Sequence, residues 1–160
     1  MNLRTPGPTP IPPSVAQALA QPMINHRGPE FEALFAEVVA NLQRVFQTQH
    51  EVLVLTASGT GGLEAAVVNL FSPGDRVLAV SIGNFGDRFT KIAEVYGTDV
   101  QRLRFPNGHA ADPGAIAERL RADPAIKGVL VTHNETSTGV TNDLEAITRA
   151  VHEAGAPLLV

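Results

Sequence analysis

The sequence predicts an α/β fold: a mainly parallel sheet with flanking helices. Three observations lead there. Short apolar runs, "EVLVLTA", "DRVLAVS", "TDVQRLRF", "IKGVLVTH" and "APLLV", recur along residues 51–160. Between them lie segments whose apolar residues fall three and four apart, the period of a helix face. Turn signals punctuate the alternation, with "SPGD" before the second run, "YGTD" before the third and "EAGAP" at the last. Strands alternating with helices every 25 residues or so, as about this spacing gives, argue for βαβ units and parallel pairing. Crossovers are then right-handed, and ligands belong at the carboxyl ends of the strands.

Taken in order, the chain opens with Pro6, Gly7, Pro8, Pro10, Pro12 and Pro13. Proline fixes φ and blocks helix, so residues 1–22 read as an extended Pro/Gly-rich arm. Such an arm is either a terminal linker or a strap laid across another surface. Residues 23–160 read as an incomplete α/β domain. Glu30 to Phe46 reads as an amphipathic helix, with Phe31, Leu34, Phe35, Val38, Leu42, Val45 and Phe46 on one face. Leu63, Val67 and Leu70 mark the next helix; Phe89, Ile92 and Tyr96 mark another. Ile116 with Leu120, and then Leu144, Ile147 and Val151, mark two more. The last run, "APLLV", reads as a buried strand of a parallel sheet. Chain termini usually lie at a surface, so a terminus inside that strand points to a fragment of a longer protein.

A length of 160 residues corresponds to about one domain. Apolar residues make up 44% and charged residues 18%, a globular composition. The net charge of −4 comes without a basic block, which argues against nucleic acid and anionic membrane as partners. The absence of cysteine removes disulfides, thiolate metal sites and cysteine nucleophiles. "MNLRTPGPTPIPP" lacks the apolar core of a signal peptide, and no run is long enough to span a bilayer. The expectation is a soluble, cytoplasmic protein.

"ASGTGGLEAAVVNLF", Ala57 to Phe71, runs from an apolar stretch into a helix. The orphan N–H groups of a helix's first turn, with its dipole, make a ready anion site. Ser58 and Thr60 add hydroxyls, and Gly59, Gly61 and Gly62 allow close approach of the backbone. No Gly-Lys-Ser/Thr follows, so this is not a P-loop. Glu64 stands where the third glycine of a dinucleotide-binding turn belongs, and no acidic residue closes the next strand to hold a ribose. A single phosphate fits better than a dinucleotide. The plain alternative is a strand-to-helix turn with a Ser or Thr cap.

Two more loops follow strands. In "SIGNFGDRF", Phe85 lies between Gly83 and Gly86, placed either to stack on a flat ligand or to pack with Phe89 along the helix. In "VTHNETSTGV", the residues from Thr132 to Thr138 are all polar, more a site loop than a plain turn. His133 reads as a satisfied structural histidine. With no Cys and no second His nearby, His133 and Glu135 do not read as a metal pair, and no metal is expected.

The segments "TPGPTPIPP", "MINHRGPEF", "SGTGGLEAAVVN", "GNFGDRF" and "THNETSTGV", in this order and spacing, resemble the class V aminotransferases. The nearest subgroup is the alanine–glyoxylate, serine–glyoxylate and serine–pyruvate enzymes, and the likeness covers essentially the whole chain. The resemblance implies a pyridoxal 5′-phosphate enzyme of fold type I, homodimeric, with active sites at the dimer interface. Residues 23–160 would then belong to its cofactor-binding large domain. By position, Ser58, Gly59 and Thr60 would bind the cofactor phosphate. Phe85 would stack on the pyridine, and Thr136 would hydrogen-bond the phenolic oxygen. Gly7 and Pro8 would approach the substrate pocket or the partner subunit.

The substrates implied are a small amino acid, alanine or serine, and a 2-oxo acid such as glyoxylate or pyruvate. The family's pyridine-pairing Asp, Schiff-base Lys and substrate-carboxylate Arg would all fall after Val160. No catalytic residue is therefore expected in this chain, and the chain alone is expected to be inactive. Two alternatives stay open: another fold type I enzyme, a lyase or desulfurase, or a non-catalytic truncated or association module.

Overall fold

The computed structural model describes residues 4–155 and 158–160. The chain divides into two compact units, Met1–Thr56 and Ala57–Val160, and each is described by itself.

The first unit holds α1 (Pro13–Leu19) and α2 (Pro29–Phe46). The sequence predicts an extended arm through residue 22, yet residues 13–19 are helical. Pro13 sits at the first helical position, where its fixed φ is already that of a helix and its missing N–H costs nothing. The residues after it, "SVAQAL", contain no further proline to stop the turn. α2 begins one residue before the predicted Glu30 and carries Glu30 and Glu32 in its first turn, where they complement the helix dipole. None of its residues is buried.

The predicted strand "EVLVLTA" does not form. Residues 51–55 are irregular, and Leu53, Val54 and Leu55 are exposed. A strand exists only as part of a hydrogen-bonded ladder, and this apolar run has no neighbouring strand among the described residues.

The second unit is a three-layer α/β/α sandwich. Its elements are α3 (Gly59–Leu70), β1 (Arg76–Ser81), α4 (Asn84–Val95), β2 (Asp99–Arg104), α5 (Pro113–Ala122) and β3 (Ile126–Val131). A short antiparallel pair, β4 (Asn134–Glu135) and β5 (Val140–Thr141), then leads to α6 (Leu144–Glu153) and β6 (Leu158–Leu159). Of the "APLLV" run, Ala156 and Pro157 lie outside the described residues. The main sheet has the order β2-β1-β3-β6, every pair parallel.

β1 is central, and Val77 to Ser81 are all buried. Side chains alternate across a strand, so the run divides between two cores. Leu78 and Val80 face Ile116 and Leu120 of α5 and Ile147 and Val151 of α6. Val77 and Ala79 face Val67 of α3 and Phe89 and Ala93 of α4. Fully burying such aliphatic side chains stabilises by roughly 1.5–3 kcal/mol each, which makes β1 the strand that fixes both layers. β2 is an edge strand and carries the charged Arg102 and Arg104 outward, which discourages edge-to-edge pairing.

The chain leaves β1 toward β2 through α4 on one face and returns to β3 through α5 on the other. β1 and β3 are therefore neighbours whose outgoing connections diverge, the crevice where open α/β sheets bind ligands. No helix among the described residues is long and apolar enough to cross a membrane.

Candidate active site

Three chain segments meet at that crevice. The first is the start of α3. Ser58 is its N-cap, extended in backbone, and its hydroxyl oxygen accepts the N–H of Gly61 at 3.4 Å. Gly62 N–H donates to the Ser58 carbonyl at 3.1 Å, so the helix ladder begins there. The N–H groups of Gly59 and Thr60 precede that ladder and belong to the set that a helix start leaves for an outside acceptor. A Cβ built on Gly59 or Gly62 would meet nothing within 4 Å. The turn is thus open to a ligand along its backbone.

The second and third segments, after β1 and after β3, are tied together by Glu135, which in sequence stands out only beside His133 as half of a pair that does not suit a metal. Glu135 is 1% exposed. Its carboxylate accepts the N–H of Phe85 at 3.2 and 3.0 Å and that of Gly86 at 3.0 Å. It also accepts the Ser137 hydroxyl at 2.6 Å and the Ser137 N–H at 3.2 Å. A buried carboxylate is costly unless satisfied in this way. Burial pushes the group's pKa up, but the donated bonds from Ser137, Gly86 and Phe85 together outweigh burial and hold it below the ordinary glutamate value.

Because Phe85 and Gly86 open α4, Glu135 also stands as a negative charge at that helix's N-terminus. The contact requires close approach: a Cβ on Gly83 would lie 2.6 Å from Glu135 Cγ and from Ser137 Oγ. Asn142, buried at the end of β5, braces the same region. Its amide donates to the Thr132 carbonyl at 2.8 Å and its oxygen accepts the Ala111 N–H at 2.8 Å.

These constraints fix the walls of a cavity of about 590 Å³, lined among others by Ser58, Gly59, Thr60, Phe85 and Thr136. All five residues expected at a cofactor thus share one cavity. Phe85 is half-buried, with Arg88 over its ring at 4.8 Å from the centroid. It packs outside the core that holds Phe89. Thr136 is exposed on the cavity wall. His133 is exposed too and lines the cavity, so it is not the satisfied structural histidine the sequence predicts. Its neighbours in the β4–β5 turn take up the local hydrogen bonds, and among the described residues only its backbone carbonyl is engaged, by Asn142 N–H.

Gly7 and Pro8 belong to the first unit, where both are exposed. Neither Lys91 nor Lys127 lines the cavity: Lys91 is exposed on α4 and Lys127 pairs with Asp75.

The donor set fits pyridoxal phosphate. Two helix-start amides and two hydroxyls suit a phosphate, a half-buried aromatic side chain suits a flat ring, and a threonine on the cavity wall suits a ring substituent. The residues that sequence reasoning missed are Glu135 and Arg88. Glu135 carried one signal, being the sole acidic residue in an otherwise uncharged polar loop.

Comparison with known proteins shows the family. The family pattern "Aminotransferase class-V" matches residues 2–160. The "Soluble hydrogenase 42 kDa subunit" of Anabaena cylindrica is 44% identical over all of this chain and 42% of its own length. The serine–glyoxylate aminotransferase of Methylorubrum extorquens is 38% identical, covering 99% of this chain and 40% of itself. The aspartate aminotransferase structure from Thermus thermophilus, of subgroup IV, superposes with a TM-score of 0.89 at 40% identity, covering 96% of this chain and 43% of that one. The chain thus spans about two-fifths of the length of these relatives. The Thermus thermophilus structure and that of a pyridoxamine–pyruvate aminotransferase are solved neighbours of fold type I, the pyridoxal-phosphate aminotransferase architecture. The chain belongs to the class V aminotransferases, a family of pyridoxal-phosphate enzymes.

Proposed function

We propose that this chain forms the cofactor-holding part of a transaminase that moves an amino group from a small amino acid to a 2-oxo acid such as glyoxylate or pyruvate. The observation that carries the reading is the convergence of Ser58, Gly59, Thr60, Phe85 and Thr136 on one cavity at the diverging ends of β1 and β3. The α3 start and the Ser58 and Thr60 hydroxyls would hold the phosphate, Phe85 would fix the plane of the ring, and Thr136 would donate to its phenolic oxygen. Pyridoxal phosphate, when bound, supplies the electron sink for amino-group transfer. The chain's own residues anchor, orient and shield it.

Serine or alanine as donor follows the resemblance of the sequence motifs, with the 38% identical serine–glyoxylate enzyme in support, while the 40% identical aspartate aminotransferase makes aspartate the competing donor. Gly7 and Pro8 would stand on the substrate side, and the whole protein would be a homodimer. Residues 1–22 would form the arm and residues 23–160 part of the large domain. The covalent cofactor lysine would come from sequence outside this chain, since neither Lys91 nor Lys127 lines the cavity. The purified chain with added pyridoxal phosphate, alanine or serine, and glyoxylate is expected to give no amino transfer. A protein continuing past Val160 is expected to transfer from serine or alanine. Faster transfer from aspartate would move the donor assignment; cofactor-dependent transfer by the short chain would refute the missing-lysine reading.

A further inference from the structure

Among the described residues, Arg88 is the one arginine or lysine on the cavity wall. Among the described residues it makes no ion pair with a carboxylate, whereas Arg76, Arg102, Arg104, Lys127 and Arg149 all do. Even the adjacent Asp87 is engaged elsewhere, by Arg104 and by the Ser81 hydroxyl. Arg88 is held by two other contacts. Its Nη1 donates to Thr60 Oγ1 at 3.1 Å, and its guanidinium carbon lies 4.8 Å from the Phe85 ring centroid. Both partners are residues that the cofactor reading already places at the phosphate and at the ring.

A phosphate monoester near neutral pH carries about −1.5 to −2 charges. A helix start offers only about half a positive charge against it. The cup at Ser58–Thr60 therefore lacks a cation, and Arg88 is the cation beside it. A hydroxyl that accepts from a guanidinium keeps its own proton free to donate, and each bond in such a chain polarises the next. Stacking on Phe85 holds the planar fork in orientation, which an ammonium group would not match.

We infer that Arg88 is a phosphate-binding residue of this site: it supplies the countercharge for the cofactor phosphate, with Thr60 relaying the hydrogen bond and Phe85 orienting the guanidinium. This rests on the cofactor reading for the identity of the phosphate's bearer, but not for the phosphate itself.

The test titrates the chain and its Arg88→Met and Arg88→Lys variants with pyridoxal phosphate, pyridoxal and inorganic phosphate. Calorimetry or backbone amide shifts read the binding. Arg88→Met is expected to weaken pyridoxal phosphate and inorganic phosphate each by about 10- to 100-fold, the range for a lost charge-assisted bond. Pyridoxal should change by less than about 3-fold, since it lost only a ring contact. Arg88→Lys should fall between. Equal weakening of pyridoxal and pyridoxal phosphate, or inorganic phosphate bound as well by Arg88→Met as by the parent, overturns the inference. So does a parent chain that binds no phosphate. A parent that binds inorganic phosphate through Arg88 but shows no preference for pyridoxal phosphate leaves the inference standing and removes the cofactor reading instead. Thermal unfolding of the variants checks that the exposed substitution leaves the fold intact.

Discussion

The buried carboxylate of Glu135 accepts the backbone N–H of Phe85 through both oxygens, at 3.2 and 3.0 Å, across 50 residues of sequence. The same carboxylate holds Ser137 at 2.6 Å. One side chain thereby sets the loop that carries Phe85 and the loop that carries Thr136. The separation between Phe85 and Thr136 on the cavity wall is thereby set by a charge that holds Phe85 through its backbone alone.

Glu135→Gln is expected to destabilise the second unit by about 1–3 kcal/mol, because a carboxamide must offer N–H groups where the protein presents donors. Hydrogen exchange should quicken together at Asn84–Gly86 and at Ser137. Faster exchange confined to residues 134–138 would separate the two loops and contradict the latch.

The pH dependence follows from the direction of the shift. Folded Glu135 has a pKa below its unfolded value, so its contribution is complete above the ordinary glutamate pKa of about 4.3. It is lost as pH falls through the folded value. The stability gap between the parent and Glu135→Gln should therefore be flat near neutrality and narrow on acidification below about pH 4. Denaturant melts across that range measure it; a gap that widens in acid would reverse the assignment.

Two glycines should behave in opposite ways. Gly83→Ala places a methyl 2.6 Å from Glu135 Cγ and Ser137 Oγ, and is expected to cost about 1–3 kcal/mol from overpacking. Gly59→Ala meets nothing within 4 Å and removes backbone freedom at a helix start, so stability should hold or rise by up to about 1 kcal/mol. Thermal midpoints of the pair decide it.

Ser58→Ala removes the α3 cap and is expected to cost about 1 kcal/mol of stability. The same change should weaken inorganic phosphate binding, because the hydroxyl is one of the few donors at the cup. Cap loss without any change in phosphate binding would make Ser58 structural only.

Much of this was legible in sequence, for definite reasons. β1 and β3 are buried on both faces, so "DRVLAVS" and "IKGVLVTH" read as continuous apolar runs. α6 shows its Leu144, Ile147 and Val151 stripe because one face alone is covered. The capped start of α3 at Ser58–Gly62 was legible because helix capping is local chemistry. "EVLVLTA" misled because composition reports what could enter a ladder, while pairing depends on a partner strand. α1 was missed because proline at a first helical turn resembles proline in an extended arm. Glu135 and Arg88 were missed for a common reason: their roles come from contacts 50 and 28 residues away, which spacing within a motif does not encode.

The most direct test of the central claim locates the ligand. Nitrogen–proton correlation spectra of the chain, recorded as pyridoxal phosphate is added, report each backbone amide separately. The account predicts saturable shifts concentrated at Ser58–Gly62, at Phe85–Gly86 and at Thr132–Thr136, reduced by about 5- to 10-fold in affinity in Phe85→Ala. Shifts scattered over lysine-bearing surfaces, or none in those three segments at saturation, would contradict it.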